Sequence, residues 1–176
     1  MTMRRTLNGA LAGTAAAVLW AAQQPLDRRA FGFEYDDVEL LGKFVTRERE
    51  WVFAGVALHL ANGAVFGATY AQLRPFLPGP GALTGLLAGL AENFATWPLA
   101  ALVDRHHPVR RDLPRLFGSR RALAQATWRH VLFGAALGLL EDRLNADPGS
   151  EPPLVLVASN GHGELPMPAS DAQTAA

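Results

Sequence analysis

Residues 51–73 read W-V-F-A-G-V-A-L-H-L-A-N-G-A-V-F-G-A-T-Y-A-Q-L. The stretch contains no charged side chain, and at about 1.5 Å per residue a helix of this length crosses a hydrocarbon core of roughly 30 Å. Gly63 and Gly67 stand four positions apart and therefore share one face of such a helix. The stretch predicts a membrane-spanning helix with a smooth face on which a second helix packs.

Three further apolar blocks flank this stretch. Residues 6–26 carry no charge, residues 75–103 carry only Glu92, and residues 124–141 are interrupted by Arg129 and His130. We therefore predict an all-α, polytopic transmembrane bundle of about four spans within residues 1–143. Residues 144–176 are rich in Pro, Gly, Ser, Ala and acids without helical periodicity, and are predicted to form a disordered tail.

The composition excludes several classes of function. The 16 basic and 16 acidic residues balance, which argues against a nucleic-acid partner, and the absence of cysteine excludes disulfides and thiolate metal sites. No phosphate-binding glycine loop, nucleophile elbow or catalytic triad occurs, so neither a cofactor nor an enzymatic activity is predicted. One alternative for the N-terminus is a signal peptide, because Arg4 and Arg5 precede an apolar stretch ending in Ala21 and Ala22.

The chain also matches itself, which predicts a duplicated two-helix hairpin with copies at about 7–74 and 83–143. The first helices align at an offset of 76, so that Gly9 and Gly13 match Gly85 and Gly89, and the last helices align at an offset of 71. The D-R pairs at 27–28 and 104–105 and the tryptophans also match. Shared membrane-helix composition is the alternative explanation.

The loops of the two copies predict the topology. The segments 27–50 and 104–123 hold 11 of the 16 Lys and Arg residues, so the positive-inside rule places both in the cytoplasm. All four tryptophans fall at helix ends beside these loops, where an indole suits the headgroup region. They are Trp20, Trp51, Trp97 and Trp128.

Each predicted helix contains a G-x-x-x-G spacing. Helices in lipid associate where missing side chains let backbones approach, so these glycines are predicted to form the packing faces, within the chain or in a homo-oligomer. The glycines are Gly9, Gly13, Gly63, Gly67, Gly85, Gly89, Gly134 and Gly138.

Polar residues lie on or beside the same helix faces as these glycines. They predict an intramembrane cluster of His59, Asn62, Glu92, Arg129 and His130. A carboxylate in lipid requires a partner, and Arg129 or His130 is the predicted partner of Glu92. The cluster is either a proton or ion site or a packing device that fixes the helix register. Two histidines and a carboxylate also suit a divalent metal, but the spacing is not a recognised metal signature and no metal is predicted.

The second loop carries a run of arginines, which attracts anionic lipid at about 1 kcal/mol for each charge near the surface. These are Arg110, Arg111, Arg115, Arg120 and Arg121. In the same loop, His106 and His107 are predicted to belong to a solvated interfacial patch.

A family resemblance follows from G-A-L-A-G (9–13), Q-Q-P-L (23–26), H-L-A-N-G-A-V-F-G-A-T-Y (59–70), G-L-L-A-G-L-A-E-N-F-A-T-W-P-L (85–99) and W-R-H (128–130). In their order and small-residue spacing these segments resemble the YagU-like family of inner-membrane proteins. Uncharacterised actinobacterial membrane proteins look similar around P-L-D-R-R (25–29) and Y-D-D-V-E-L-L-G-K (35–43). The resemblance implies a multi-pass protein of the bacterial inner membrane with a loose link to acid tolerance.

Three functions remain open from the sequence. The first is envelope or acid-stress homeostasis through the Glu/His cluster. The second is an oligomeric transporter or channel for ions or small solutes, for which duplicated hairpins and intramembrane polar residues are suitable. The third is a membrane-embedded metalloenzyme.

Overall fold

The structure, a computed structural model, describes residues 2–146. Within that range the chain forms α-helices and short 3-10 turns and no strand, which confirms the all-α prediction. The helices are α1 (Met3–Phe31), α2 (Asp37–Val45), α3 (Trp51–Leu73), α4 (Gly81–Thr96), α5 (Ala100–His106) and α6 (Arg120–Leu144). The 3-10 turns Arg74–Phe76 and Trp97–Leu99 follow α3 and α4. The predicted disorder of the tail concerns residues that lie almost entirely outside the described range.

Two helical stretches in residues 2–146, not four, are long and apolar enough to cross a membrane by themselves: Trp51–Phe76 and Gly81–His106. Only 22% and 17% of their most apolar windows are buried within the protein. Helices α1 and α6 do not pass the same test. The apolar block of α1 is short, since Asn8 precedes it and Gln23 follows it, and α6 is interrupted by Gln125 and Arg129.

The glycines bring the helices together in two pairs. A Cβ added to any one of the eight predicted packing glycines would lie closer than 3 Å to an atom of the partner helix. In the first pair Gly13 of α1 faces the backbone of Gly63 and Gly67 in α3, and in the second Gly85 of α4 faces Gly134 and its neighbours in α6. Small residues therefore set the closest approach of both hairpins.

These contacts define a register between the two hairpins that differs from the predicted one. Gly13 and Gly85 occupy matching places, as do Gly63 and Gly134, so the first helices correspond at an offset of 72 and the last at 71. The packing of the first helices therefore differs by one helical turn from the offset of 76 that the sequence match predicts. In the packing register, the counterpart of Gly9 is Gly81, whose Cβ would meet the Gly138 carbonyl oxygen. A common origin of the hairpins stays a prediction.

The two hairpins join through α1 and α6, which pack closely, whereas α3 and α4 contact each other little. The order of packing is thus α3, α1, α6, α4. Helices α3 and α4 meet near the turn that connects them, where the Tyr70 hydroxyl lies 2.7 Å from the Thr84 hydroxyl and donates to the Gly81 carbonyl oxygen at 3.2 Å. Away from this turn, a gap remains that both helices line.

The predicted loop at 27–50 is largely helical. Helix α1 continues to Phe31 and stops at Gly32, whose φ of 58° is a left-handed conformation suited to glycine. Asp36 then caps α2, since its carboxylate accepts from the Glu39 N–H at 3.0 Å. Helix α2 folds back onto α3, where Gly42 and Gly55 allow backbone contact.

Candidate functional site

A cavity of about 240 Å³ lies where α3 and α4 diverge, and α1, α2 and α6 also contribute to its wall. It is lined by Ala17, Trp20, Tyr35, Asp37, Leu40, Leu41, His59, Asn62, Gly63, Phe66, Glu92, Thr96, His130 and Phe133. Four of the five residues predicted to form the polar cluster therefore reach one cavity. The fifth, Arg129, lies behind the wall and contacts two lining residues, Tyr35 and Asp37.

The partner of Glu92 is His130. Their atoms Oε2 and Nε2 lie 2.6 Å apart, and the side chains are 33% and 14% exposed. The other ring nitrogen of His130, Nδ1, lies 2.7 Å from the Ala126 carbonyl oxygen, which only accepts hydrogen bonds, so Nδ1 carries a proton. A second proton must then lie between Nε2 and the carboxyl oxygen. The pair is imidazolium with carboxylate or imidazole with carboxylic acid, and it is neutral overall in either form.

His59 has a different role from His130, although the sequence predicts them as equivalents. It is buried, and its Nε2 lies 3.1 Å from the Ala17 carbonyl oxygen on α1, so this nitrogen donates. In the packing register, Trp20 holds the place in the first hairpin that Glu92 holds in the second, 72 positions later. His59 therefore faces an indole where His130 faces a carboxyl group.

Trp20 lies between the two histidines. Its ring centroid is 5.5 Å from that of His59 and 4.6 Å from that of His130, both edge-on. Its indole Nε1 donates to Asp37 Oδ2 at 2.9 Å, and the residue is buried. The prediction of an interfacial anchor is therefore wrong for Trp20, which is a core aromatic residue linking the cavity to α2. Trp128, by contrast, is exposed.

The remaining polar lining is more accessible. Asn62 is exposed, and its side chain makes no hydrogen bond with any described residue. Thr96 is also exposed, and its hydroxyl donates to the Glu92 carbonyl oxygen at 2.9 Å. The cavity thus combines a neutral proton-sharing pair with polar groups open to a ligand or water.

Arg129 pairs with two aspartates and not with Glu92. Its guanidinium is fully buried, donating to both Asp27 carboxylate oxygens at 2.6 and 2.7 Å and to Asp37 Oδ2 at 2.6 Å. A further hydrogen bond runs to the Tyr35 carbonyl oxygen at 2.8 Å. Gln125 donates to Asp27 as well, at 2.7 Å. This network, the Arg129 cluster, ties α1, α2 and α6 together beneath the cavity.

Tyr35 completes the connection between the Arg129 cluster and the cavity. Its hydroxyl donates to Asp37 Oδ1, and its ring lies 5.0 Å from the Arg129 guanidinium carbon. Desolvation raises the pKa of Tyr35 well above its ordinary value, and the neighbouring Asp37 carboxylate raises it further. Tyr35 therefore remains a proton donor throughout the physiological pH range.

The sequence reasoning missed Asp27, Tyr35 and Asp37, because it placed all three in a solvated loop. One signal was available: an arginine inside an apolar helix requires a carboxylate, and Asp27 directly follows the first apolar block.

A second ionic group lies at the opposite end of the helices. Glu141 is buried and lies 3.2 Å from Arg5, while Arg74 contacts Asp142 at 2.8 Å. Asp142 also accepts from the Gly81 N–H at 2.7 Å. These contacts join the ends of α1, α3, α4 and α6 and leave the cavity between two ionic layers.

Metal binding gains no support from the described part of the chain. In residues 2–146, no group of three or more His, Asp or Glu side chains is arranged to hold a metal ion. His107, predicted as solvated, is instead buried with its Nε2 3.0 Å from the Leu40 carbonyl oxygen. His106 is exposed, as predicted.

Comparison with protein families, curated proteins and solved structures gives no match for this chain. The function is therefore argued from the geometry of the cavity and its surroundings.

Proposed function

We propose that the chain is a multi-pass protein of the bacterial inner membrane in which α1, α3, α4 and α6 all cross the bilayer. The stretch Trp51–Phe76, which contains α3, is apolar enough alone, and so is Gly81–His106, in which α4 continues through the 3-10 turn into α5. The other two hold their polar side chains inward, since Gln24, Asp27, Gln125 and Arg129 are buried. Large apolar residues of α1, such as Leu11, point outward instead. This inside-out distribution suits helices surrounded by lipid.

The function proposed for the protein is proton-responsive homeostasis of the cell envelope. The observation that carries the proposal is the contact of 2.6 Å between His130 Nε2 and Glu92 Oε2 at the wall of the cavity. The neutral pair becomes charged when it gains one proton, because the carboxyl group is then uncharged while the imidazolium keeps its positive charge. That charge faces Trp20 in the first hairpin. The number of protons on the pair therefore alters how the helices pack around the cavity.

The test uses the emission of the tryptophans, because a protonated imidazole quenches a nearby indole and His130 lies 4.6 Å from Trp20. Purified protein in detergent is titrated from about pH 8 to pH 4, a range that spans the ordinary pKa values of histidine and glutamate, while emission and thermal unfolding are recorded. The parent is expected to show a transition that Glu92→Gln shifts and His130→Ala removes. His106→Ala changes an exposed histidine of the loop and is the matched control, expected to retain the parental transition.

Identical titrations for the parent, Glu92→Gln and His130→Ala would overturn the proposal and leave the pair as a packing device. A transition lost in His106→Ala alone would also overturn it, because the titrating group would then be outside the cavity.

A second candidate is a proton-coupled transporter, and the cavity itself favours it. The exposed Asn62 and Thr96 give a small solute polar contacts beside the proton-sharing pair. The two candidates differ in whether protons cross the membrane. Proteoliposomes containing a trapped pH dye distinguish them: a transporter raises proton permeability in the parent and not in Glu92→Gln, whereas a sensor raises it in neither.

A further inference from the structure

A second cavity, of about 430 Å³, lies between the end of α2 and the segment after α5. It is lined by Lys43, Arg47, Pro108, Val109, Arg110, Arg111 and Asp112. Four of these side chains are cationic and one is anionic, so the cavity carries a net positive charge. We call it the basic cavity.

The cations of the basic cavity are only partly neutralised. Lys43 lies 2.5 Å from Glu39, and Arg47 donates to the Pro108 carbonyl oxygen at 3.1 Å, a contact that orients it without cancelling its charge. Arg110 and Arg111 are exposed, and neither forms an ion pair with any residue in 2–146. Two guanidinium groups therefore remain available to an anion with several acceptor oxygens.

The position of the basic cavity points to the membrane surface. One apolar stretch begins at Trp51, just after Arg47, and the other ends at His106, just before Pro108. The cavity therefore flanks the same end of both stretches, at the level where headgroups lie if they cross a bilayer. Beside it, Phe44 and Val45 of α2 are 66% and 61% exposed, and apolar side chains at this level suit insertion among acyl chains.

We propose that the basic cavity binds the phosphate of an anionic phospholipid, with Arg110 and Arg111 as the main contacts and Phe44 against the acyl chains. The basic cavity is separate from the His130–Glu92 pair. Of the proposed function, this proposal rests only on the location of the protein in the membrane. Free phosphate offers the same oxygens but cannot use the exposed apolar residues. A lipid is therefore the occupant that satisfies both features of the surface.

The experiment is native mass spectrometry of the full chain released from mixed micelles of phosphatidylglycerol and phosphatidylcholine. We expect the parent to retain phosphatidylglycerol in preference. Each lost charge near the surface weakens lipid binding roughly fivefold, so Arg110→Gln with Arg111→Gln should lower the preference by at least about 25-fold. The matched control, Arg120→Gln with Arg121→Gln, removes the same charge from the first turn of α6, where neither side chain lines the cavity, and should lower the preference less.

The proposal would be overturned by an equal loss of preference in both double variants, which would indicate a diffuse electrostatic effect, or by the absence of any preference in the parent. Inorganic phosphate is added in a separate arm. Displacement of the lipid by millimolar phosphate would identify a soluble anion as the occupant and reject the lipid. Circular dichroism of each variant checks that it folds. The lipid proposal does not depend on the His130–Glu92 pair, so a negative result in the pH titration would not change the interpretation of the lipid experiment.

Discussion

Replacing Asp27 with Asn tests the Arg129 cluster. The change keeps the shape of the side chain but removes the charge that faces a fully buried guanidinium, and its amide group directs hydrogens at donors. Breaking a buried pair in this way costs about 3–5 kcal/mol. Asp37 still contacts Arg129 at 2.6 Å, so we expect the lower end, about 3 kcal/mol.

That loss corresponds to a fall in melting temperature of roughly 6–12 °C for a chain of this size. Thermal unfolding in detergent, followed by tryptophan emission, measures it, since Trp20 is buried beside the Arg129 cluster. Glu48→Gln makes the same charge change at an exposed position and should cost less than about 0.5 kcal/mol.

A double-mutant cycle decides whether the loss belongs to the pair. In an Arg129→Met background the Asp27 carboxylate has lost its cation, so Asp27→Asn should cost nothing or stabilise the protein. If Asp27→Asn cost the same about 3 kcal/mol with and without Arg129, the account of the Arg129 cluster would be refuted.

Three further predictions concern packing, the cavity and topology. Gly85→Leu should destabilise the fold by about 1–3 kcal/mol or more, because its side chain enters the α6 backbone, whereas Ala15→Leu on an exposed face should not; equal melting temperatures for the two would contradict the glycine packing. Trp20→Phe removes one hydrogen bond to α2 and should cost about 1 kcal/mol in thermal unfolding, and an unchanged transition would show that the bond adds no stability. Because the chain lacks cysteine, a single introduced cysteine reports on which side of the membrane its position lies. An impermeant maleimide applied outside the cell should label Pro78→Cys and not Glu48→Cys. The reverse pattern would contradict the predicted cytoplasmic location of residues 27–50.

The helical character and the glycine faces were predictable because both depend on local spacing. Glycines spaced four residues apart lie on one face of a helix, which identifies the packing face directly. Polar residues on the same face were therefore predicted to lie together, and they line the cavity. The register between the hairpins was not predictable in the same way. Gly81, Gly85 and Gly89 repeat every four residues, so a shift by one turn preserves the match of sequence. Only the contact between Gly85 and Gly134 selects one alignment.

The partner of Arg129 was harder to find than that of Glu92. Glu92 and His130 both lie near the glycine faces of the two helices of one hairpin. The sequence therefore limited the predicted partner of Glu92 to Arg129 or His130. Asp27 lies 102 positions before Arg129, and nothing in local periodicity relates them. Asp37 reaches the same guanidinium only because α2 folds back onto α3, a tertiary event set by close backbone contact at Gly42.

The buried guanidinium also constrains how the protein is made in the proposed membrane arrangement. Of the four helices proposed to cross the bilayer, α6 leaves the ribosome after the other three, and alone it would carry Arg129 into hydrocarbon at about 2.5–3.5 kcal/mol. Asp27 removes that obstacle only if α1 is already in place. Insertion of the second hairpin is therefore less costly once the first hairpin is in place, although its own glycine contacts are complete. Insertion in chain order lets α1 receive the guanidinium of α6 as it enters the bilayer.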